Sequence, residues 1–211
     1  DAVITTRELV KMIRSAHISP ETLEDIESDR PMQEGTGAGV IFGATGGVME
    51  AALRTAYHII KKENPPADAF KMVRSPGFQE NHGVMEAELA IDDITVRIAV
   101  VSGLGNTRRL LEKIESGEVK YDFVEVMACP GGCVGGGGQP IHDGEEWAFE
   151  RGKNLYCLDQ NAKLRFSHEN PDIIKLYEEY FGEPVSHKAH MLLHTDHLDA
   201  MARSGIGYET N

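Results

Sequence analysis

The architecture of this chain follows from the segment Ile94-Thr95-Val96-Arg97-Ile98-Ala99-Val100-Val101. The segment alternates polar and apolar residues at first and then becomes wholly apolar, which is typical of a strand that enters a buried sheet. A helical pattern through Leu110 and Ile114 follows, and it leads to a second strand, Phe123-Val124-Glu125-Val126. Strand, helix and strand in this order predict a right-handed parallel crossover.

An edge hairpin precedes this crossover. Residues 86–91 alternate acidic and apolar side chains, so we expect a half-exposed strand that turns at Asp92-Asp93. The predicted fold class is therefore α/β: a mixed, largely parallel sheet flanked by helices, with an antiparallel edge hairpin. We expect residues 61–83 to form a surface connection and Leu155–Leu158 to form a short strand.

Several helices carry clear start signals. Thr5 and Glu8 have capping-box spacing, and Ser19-Pro20 predicts a short second helix. From Val48 the pattern predicts a helix with Ala52 and Ala56 on the same face as Val48. Later starts are expected at Asn170-Pro171, for a helix through Ile174, Tyr177 and Phe181, and at Ser186, for a last helix that carries histidines.

The segment after the second strand carries the candidate chemistry. Cys129 and Cys133 lie four residues apart, and six glycines occur among residues 131–138. Thiolates are soft ligands suited to iron–sulfur clusters and zinc, and glycine lets the backbone approach a ligand closely. Two packed thiols or half of a zinc site remain alternatives on spacing alone. Two cysteines do not complete a four-thiolate site, so further ligands have to come from elsewhere.

The bulk composition argues against a disulfide-rich, a nucleic-acid-binding and a membrane-spanning protein. The chain has 211 residues, three cysteines and a net charge of −13. The odd, small cysteine number favours metal or redox use over a disulfide framework. The acidic balance argues against a nucleic-acid partner, and no apolar run approaches the roughly 20 residues of a membrane span. We expect a soluble protein, in the cytoplasm or alternatively the periplasm, and the Asp1 start suggests a piece of a longer chain.

The cysteine segment closely resembles a known family signature. Residues 125–133, Glu-Val-Met-Ala-Cys-Pro-Gly-Gly-Cys, followed by Gly136-Gly137-Gly138-Gln139-Pro140, are similar to the third cysteine signature of iron-only ([FeFe]) hydrogenases. The resemblance extends to further segments, at residues 5–9, 42–54, 167–171 and 186–190. It covers most of residues 1–197, which correspond to the C-terminal lobe of that catalytic domain. Residues 198–211 stay unassigned.

The resemblance implies a cofactor and roles for particular residues. The family carries the H-cluster, a [4Fe–4S] cubane joined through one cysteine sulfur to a di-iron unit with CO and cyanide ligands. Cys129 matches a ligand of the cubane alone, and Cys133 matches the bridging ligand. Met127, Phe42 and the Gly43 backbone match positions that line the di-iron pocket. The implied reaction is the reversible conversion of two protons and two electrons to H2, in which the protein positions the cofactor.

Two earlier cysteine signatures of the family are absent from this sequence. The resemblance therefore implies that the N-terminal remainder of the hydrogenase, or a complementary subunit, supplies the other ligands, and that a ferredoxin or a cytochrome exchanges electrons. Cys157 matches no motif, and we expect a buried strand thiol there. Two alternatives stay open: an iron–sulfur relative acting in cluster assembly or sensing, and a cluster-free interaction domain.

Two further patterns have structural as well as chemical interpretations. The helix start at residues 43–47 is glycine-rich, so it could bind an anion at the helix N-terminus, lie around the cluster, or serve close packing. His187, His190, His194 and His197 recur at helical spacing, and we interpret them as surface or packing residues rather than as a metal site.

Overall fold

The computed structural model describes residues 2–27, 32, 34–74 and 83–194. The chain divides into two compact units, Asp1–Glu169 and Asn170–Asn211. Within the described residues, no helix is long and apolar enough to cross a membrane.

A three-stranded sheet forms the centre of the first unit. Its strands are β1 (Val84–Ile91), β2 (Ile94–Ser102) and β3 (Phe123–Met127), in that order. β1 and β2 pair antiparallel from Val84↔Val101 to Ile91↔Ile94, with Asp92 in the left-handed region at the turn. β2 and β3 pair parallel and are joined through helix α4 (Leu104–Glu115). The α/β class and the edge hairpin are confirmed, and of the two strand pairings described, one is parallel.

The apolar run of β2 is explained by its burial on both faces. Ile98 and Val100 pack with Met49 and Leu53, whereas Ala99 and Val101 pack with Leu110 of α4. Alternate residues of a strand point to opposite faces, so a strand with helices on both sides needs apolar residues throughout.

The helix starts at Thr5 and near Val48 follow their sequence signals, but the buried face of α3 differs from the predicted one. The helices before the sheet are α1 (Thr6–Ser15), α2 (Gly37–Val40) and α3 (Gly47–Lys61). The predicted capping box is present, because the Thr5 hydroxyl accepts from the Glu8 N–H and the Glu8 carboxylate accepts from the Thr5 N–H. In α3 the core contains Met49 and Leu53, not the predicted face. The apolar residues recur at helical spacing on both faces, so periodicity did not select between them.

The predicted strand at Leu155–Leu158 is wrong, because these residues lie in helix α5 (Ala148–Asn161). The inward positions of α5 include Ala148, Gly152 and Asp159, all buried. Two of these three are a glycine and a charged residue, so the helical pattern is poorly marked by apolar side chains. Cys157 is consequently exposed on a helix and is not a buried strand thiol.

The connection after α3 is more than a surface loop. Phe70 and Val73 are buried in the core beside a single 3-10 turn, Lys71–Val73, whereas residues 75–82 lie outside the described residues. The predicted second helix after Ser19 is also only one 3-10 turn, Pro20–Thr22.

The second unit begins with helix α6 (Pro171–Leu176), which continues into a π-helical turn, Tyr177–Phe181. The Asn170 side chain accepts hydrogen bonds from the N–H groups of Asp172 and Ile173, as its position predicted. The last described helix, α7 (His187–Leu193), is capped by Ser186. His197 lies outside the described residues.

Candidate functional site

The site begins where β3 ends. The Gly103 N–H donates to the Met127 carbonyl at 2.7 Å, which fixes the end of β3 beside β2. The chain then enters residues 129–140, called here the cysteine loop. Met127 is partly buried, whereas Cys129 and Cys133 are both exposed. The predicted ligands therefore lie on an accessible loop directly after β3.

A tight turn separates the two cysteines. The Gly132 N–H donates to the Cys129 carbonyl at 3.0 Å, and a 3-10 turn, Cys133–Gly135, follows. Gly132 has a φ of 91°, and a Cβ atom there would lie 2.7 Å from the Gly43 carbonyl oxygen. Only glycine fits this backbone, for both conformational and steric reasons.

The cysteine loop packs against residues 42–45, called here the Phe42–Thr45 segment. The Thr45 N–H donates to the Gly131 carbonyl at 3.0 Å. A Cβ atom at Gly43 would lie 2.8 Å from Leu155 Cδ1 and 3.8 Å from Val134 Cγ1, and Phe42 is 45% exposed. Two sequence segments that were singled out separately are thus brought into contact.

Ser102, at the end of β2, joins these two segments. Its hydroxyl lies 3.3 Å from the Cys129 carbonyl oxygen, 3.3 Å from the Gly131 nitrogen and 3.2 Å from the Thr45 hydroxyl. Both Ser102 and Thr45 are buried. The sequence interpretation missed this residue, although a lone serine that ends a wholly apolar run is a signal that can be read.

Glu125 provides a second connection, and it was also missed. Its buried carboxylate accepts hydrogen bonds from the Gly46 and Met49 N–H groups, both at 2.6 Å. It therefore caps α3, whose own N-cap residue is a glycine without a capping side chain. Burial raises the pKa of Glu125, and the two N–H donors oppose that shift. The detectable signal is a single carboxylate within an apolar strand.

This capping concerns one interpretation of the glycine-rich helix start, namely that it binds an anion from outside the chain. The anion at the start of α3 is the chain's own Glu125. A Cβ atom at Gly46 would lie 1.9 Å from the Val73 carbonyl oxygen, and one at Gly47 would lie 1.8 Å from that of Ile41. Gly46 and Gly47 therefore allow close packing of the backbone, whereas a position of residues 43–47 around the cluster stays a prediction.

Two arginines hold the glycine-rich part of the cysteine loop. Arg151 of α5 donates to the Val134 carbonyl at 2.9 Å and to the Pro140 carbonyl at 2.7 Å. Arg7 of α1 donates through its backbone N–H and its side chain to the carbonyls of Gly138 and Gly137. The Gln139 side chain donates to the Cys133 carbonyl at 3.2 Å. A loop with few side chains is therefore held through its carbonyl groups.

A buried network of ion pairs joins α3 to α5 beside the site. Arg54 of α3 donates two hydrogen bonds of 2.8 Å to Asp159 of α5 and one of 2.6 Å to Glu50. Arg74 also pairs with Glu50, and Arg165 pairs with Asp159. Burial alone raises the pKa of Asp159, but the hydrogen bonds from Arg54 and Arg165 lower it overall. These charges stay paired in the interior, as buried charges must.

A cavity of about 1030 Å³ opens beside the cysteine loop. Its lining includes Pro130 and Gly131 of that loop, together with Thr45, Arg74, Tyr156 and Cys157. The Arg74 guanidinium lies over the Tyr156 ring, 4.4 Å from its centroid. Cys157 thus borders the same cavity as the loop, although no pattern associated the two.

The side chains of the site provide two thiols as candidate ligands for an iron–sulfur cluster. Among the residues described, no group of three or more His, Cys, Asp or Glu side chains could hold a metal ion. Cys129 and Cys133 are exposed. Neither thiol has a hydrogen-bond partner among the residues that the structure describes. Soft thiols on a glycine-rich backbone fit a share of an iron–sulfur ligand set.

Comparison with known protein families gives two matches. The family described as the iron only hydrogenase large subunit, C-terminal domain, matches residues 1–137. The family described as the iron hydrogenase small subunit matches residues 146–199. Together these matches include the Phe42–Thr45 segment, both loop cysteines and α5.

Individual relatives agree with the family matches. The NADP-reducing hydrogenase subunit HndD of Solidesulfovibrio fructosivorans is 47% identical over 94% of this chain and 33% of its own length. The chain thus spans about a third of that relative. More distant relatives include cytosolic iron-sulfur assembly component 3 of Bos taurus, 30% identical over 98% of this chain and 43% of its own length.

Solved structures resemble the fold as well. An [FeFe]-hydrogenase from Chlamydomonas reinhardtii gives a TM-score of 0.70 at 42% identity, over 92% of this chain and 55% of that chain. A structure that concerns stepwise H-cluster assembly in an [FeFe]-hydrogenase gives a TM-score of 0.68 at 43% identity, over 92% and 55% of the two chains.

Proposed function

Because the chain belongs to the iron-only hydrogenase family, we propose that it forms the cysteine-bearing part of the active site of a longer hydrogenase. That enzyme converts two protons and two electrons reversibly to H2. When bound, the H-cluster supplies the redox and metal chemistry of this reaction. The residues of this chain hold, orient and shield it.

The residue roles follow the family signature. Cys129 would hold the cubane, and Cys133 would hold the cubane together with the di-iron unit. Met127, Phe42 and the Gly43 backbone line the di-iron pocket. Met127 is partly buried, and Phe42 is 45% exposed beside Gly43. In this proposal their apolar side chains limit the access of water to the site.

One observation carries the proposal. Both loop thiols are exposed, yet the backbone that carries them is fixed by Ser102, Thr45, Arg151 and Arg7. A structural cysteine would be buried, and an unconstrained surface loop would not hold a ligand geometry. Exposed thiols on a constrained backbone are suited to bind a group that arrives from outside the chain.

The remaining ligands come from other parts of the protein. Two thiolates satisfy half of the four positions of a cubane cluster, and this chain spans 33% of the hydrogenase subunit HndD. We infer that the N-terminal remainder of the enzyme, or a complementary subunit, supplies the other two ligands. A ferredoxin or a cytochrome exchanges the electrons, in the cytoplasm or alternatively in the periplasm.

The test compares three cysteine variants of the full-length hydrogenase after anaerobic reconstitution. The readouts are iron per protein, infrared bands of CO and cyanide, and H2 evolution. Cys129→Ser and Cys133→Ser should both lose H2 evolution, and Cys133→Ser should also lose the CO and cyanide bands, because it removes the bridge. Cys157→Ser is the matched control, since Cys157 is exposed on α5, and it should keep all three readouts. Retention of iron and activity in Cys129→Ser would refute the proposal.

A second candidate function is iron–sulfur cluster assembly. Cytosolic iron-sulfur assembly component 3 aligns with 98% of this chain, although at only 30% identity. In that case the reconstituted protein would hold iron that is lost in Cys129→Ser, with neither CO bands nor H2 evolution. Unchanged partner binding with no iron at all would instead indicate a cluster-free interaction domain.

A further inference from the structure

Among the described residues, Ser102 is the side chain that hydrogen-bonds to both ends of the turn after Cys129. Its hydroxyl lies 3.3 Å from the Cys129 carbonyl oxygen and 3.3 Å from the Gly131 nitrogen. We propose that Ser102 is a positioning residue that orients Cys129 as a cluster ligand. This inference rests on the proposed function, because it concerns the same cluster.

The hydrogen-bonding capacity of this hydroxyl is used completely. A serine hydroxyl has one proton to donate and two positions that accept. Its proton goes to the Cys129 carbonyl, and one accepting position takes the Gly131 N–H. The Thr45 hydroxyl, 3.2 Å away, therefore donates to the other accepting position. No water is needed to satisfy any of the groups in this arrangement.

Burial makes the arrangement rigid. Ser102 is 2% exposed and Thr45 is 5% exposed. Ser102 is paired in register with Met127, so β2 and β3 place the hydroxyl beside the start of the cysteine loop. A buried polar group that loses its hydrogen-bond partner is destabilised, because water cannot replace that partner. The turn after Cys129 therefore has little freedom to shift while the hydroxyl is present.

The consequence concerns the ligand rather than the fold alone. Groups that hydrogen-bond around a metal ligand orient it, and their loss typically costs about 10–100-fold in metal affinity or activity. Ser102→Ala leaves the Cys129 carbonyl, the Gly131 N–H and the Thr45 hydroxyl without their shared partner. The Cys129 backbone can then move, and the bond between its sulfur and the cubane is strained.

The matched control is Thr107 of α4. Its hydroxyl is also buried, and it donates to the Gly103 carbonyl at 3.1 Å without contacting the cysteine loop. Thr107→Val removes a buried hydroxyl bond next to the same strand end. Ser102→Thr keeps a hydroxyl at position 102 and serves as the conservative rescue.

The experiment uses the full-length anaerobic holoenzyme with three readouts: melting temperature, the rate of iron release to a chelator, and the electron paramagnetic resonance spectrum of the reduced cubane. Ser102→Ala should release iron about tenfold faster than wild type and shift the spectrum. Ser102→Thr should recover at least part of both changes. Thr107→Val should lower the melting temperature and leave the iron release and the spectrum unchanged.

Equal iron release and equal spectra in Ser102→Ala and Thr107→Val would overturn the inference. Should Ser102→Ala not fold, Thr45→Val provides the second variant, because it removes only the donor to Ser102. It should change iron release in the same direction but by less, and an unchanged rate would also overturn the inference. A wild-type protein that binds no cluster would refute the proposed function itself. That result differs from an effect of the Ser102 variants, because it is seen without any substitution.

Discussion

Gly132 illustrates how a single residue connects two segments of the site. It combines a positive φ of 91° with an approach of 2.7 Å between a would-be Cβ atom and the Gly43 carbonyl oxygen. Gly117 has a similarly positive φ of 75°, but nothing lies within 4 Å of its would-be Cβ atom. The two positions therefore separate backbone strain from steric conflict.

We predict that Gly132→Ala is more destabilising than Gly117→Ala. Both substitutions place alanine at a positive φ, which costs about 1–2 kcal/mol in the left-handed helical region. Gly132, with a ψ of −164°, lies in a region that is essentially restricted to glycine. Only Gly132→Ala also pushes the cysteine loop away from the Phe42–Thr45 segment, because backbone atoms cannot yield as a side chain can. Urea unfolding and bound iron of the full-length protein are the measurements. Equal stability and equal iron in the two variants would show that this contact is unimportant.

At the scale of elements, the position of α5 depends on charges rather than on apolar packing alone. Arg54 connects α3 to Asp159 of α5, across 105 residues of sequence. Gly37 of α2 approaches the same residue, since a Cβ atom there would lie 2.4 Å from Asp159 Oδ1. α5 in turn carries Arg151, which holds the cysteine loop. The ion network thus acts on the site through a helix.

We predict that Arg54→Met destabilises the protein by about 3–5 kcal/mol, because it leaves Asp159 and Glu50 buried without their main partner. Lys153→Met is the control, since Lys153 and Glu150 form an exposed pair on α5 that contributes about 0–1 kcal/mol. The free energy of unfolding in urea distinguishes the two. A loss of less than about 1 kcal/mol in Arg54→Met would show that the network is dispensable.

At the scale of the whole molecule, the described residues contribute two cysteines to the candidate site. The described residues bring Cys129 and Cys133 together with the Phe42–Thr45 segment, and Cys157 lies on α5. The related hydrogenase subunit is about three times as long as the matched region. The net charge of −13 disfavours the binding of polyanions and is compatible with a partner of basic or mixed charge.

We predict that the 211-residue chain alone, after anaerobic reconstitution, holds far fewer than the roughly four iron atoms of a cubane. The full-length protein should hold at least that number under the same conditions, because it adds the missing ligands. Iron and acid-labile sulfide per chain are the measurements. About four iron atoms on the isolated chain, lost in Cys129→Ser, would instead indicate a cluster completed by dimerisation.

Much of the fold could be predicted because its signals are local. The capping box at Thr5 and Glu8, the edge hairpin and the β2–α4–β3 crossover each depend on residues close in sequence, and all are confirmed. The cysteine motif is also local, so family membership was readable from it. The helix at residues 148–161 was not, because its inward positions include Gly152 and Asp159 rather than a stripe of apolar side chains.

The sequence by itself therefore determined the edge hairpin and the crossover, the helix caps and which thiols are the candidate ligands. Only the tertiary structure decided which groups hold those thiols in place. Ser102 and Thr45 are 57 residues apart, and Gly46 and Glu125 are 79 residues apart. Periodicity and capping act over a few residues, whereas these hydrogen bonds form only when packing removes water and places distant groups within reach of each other.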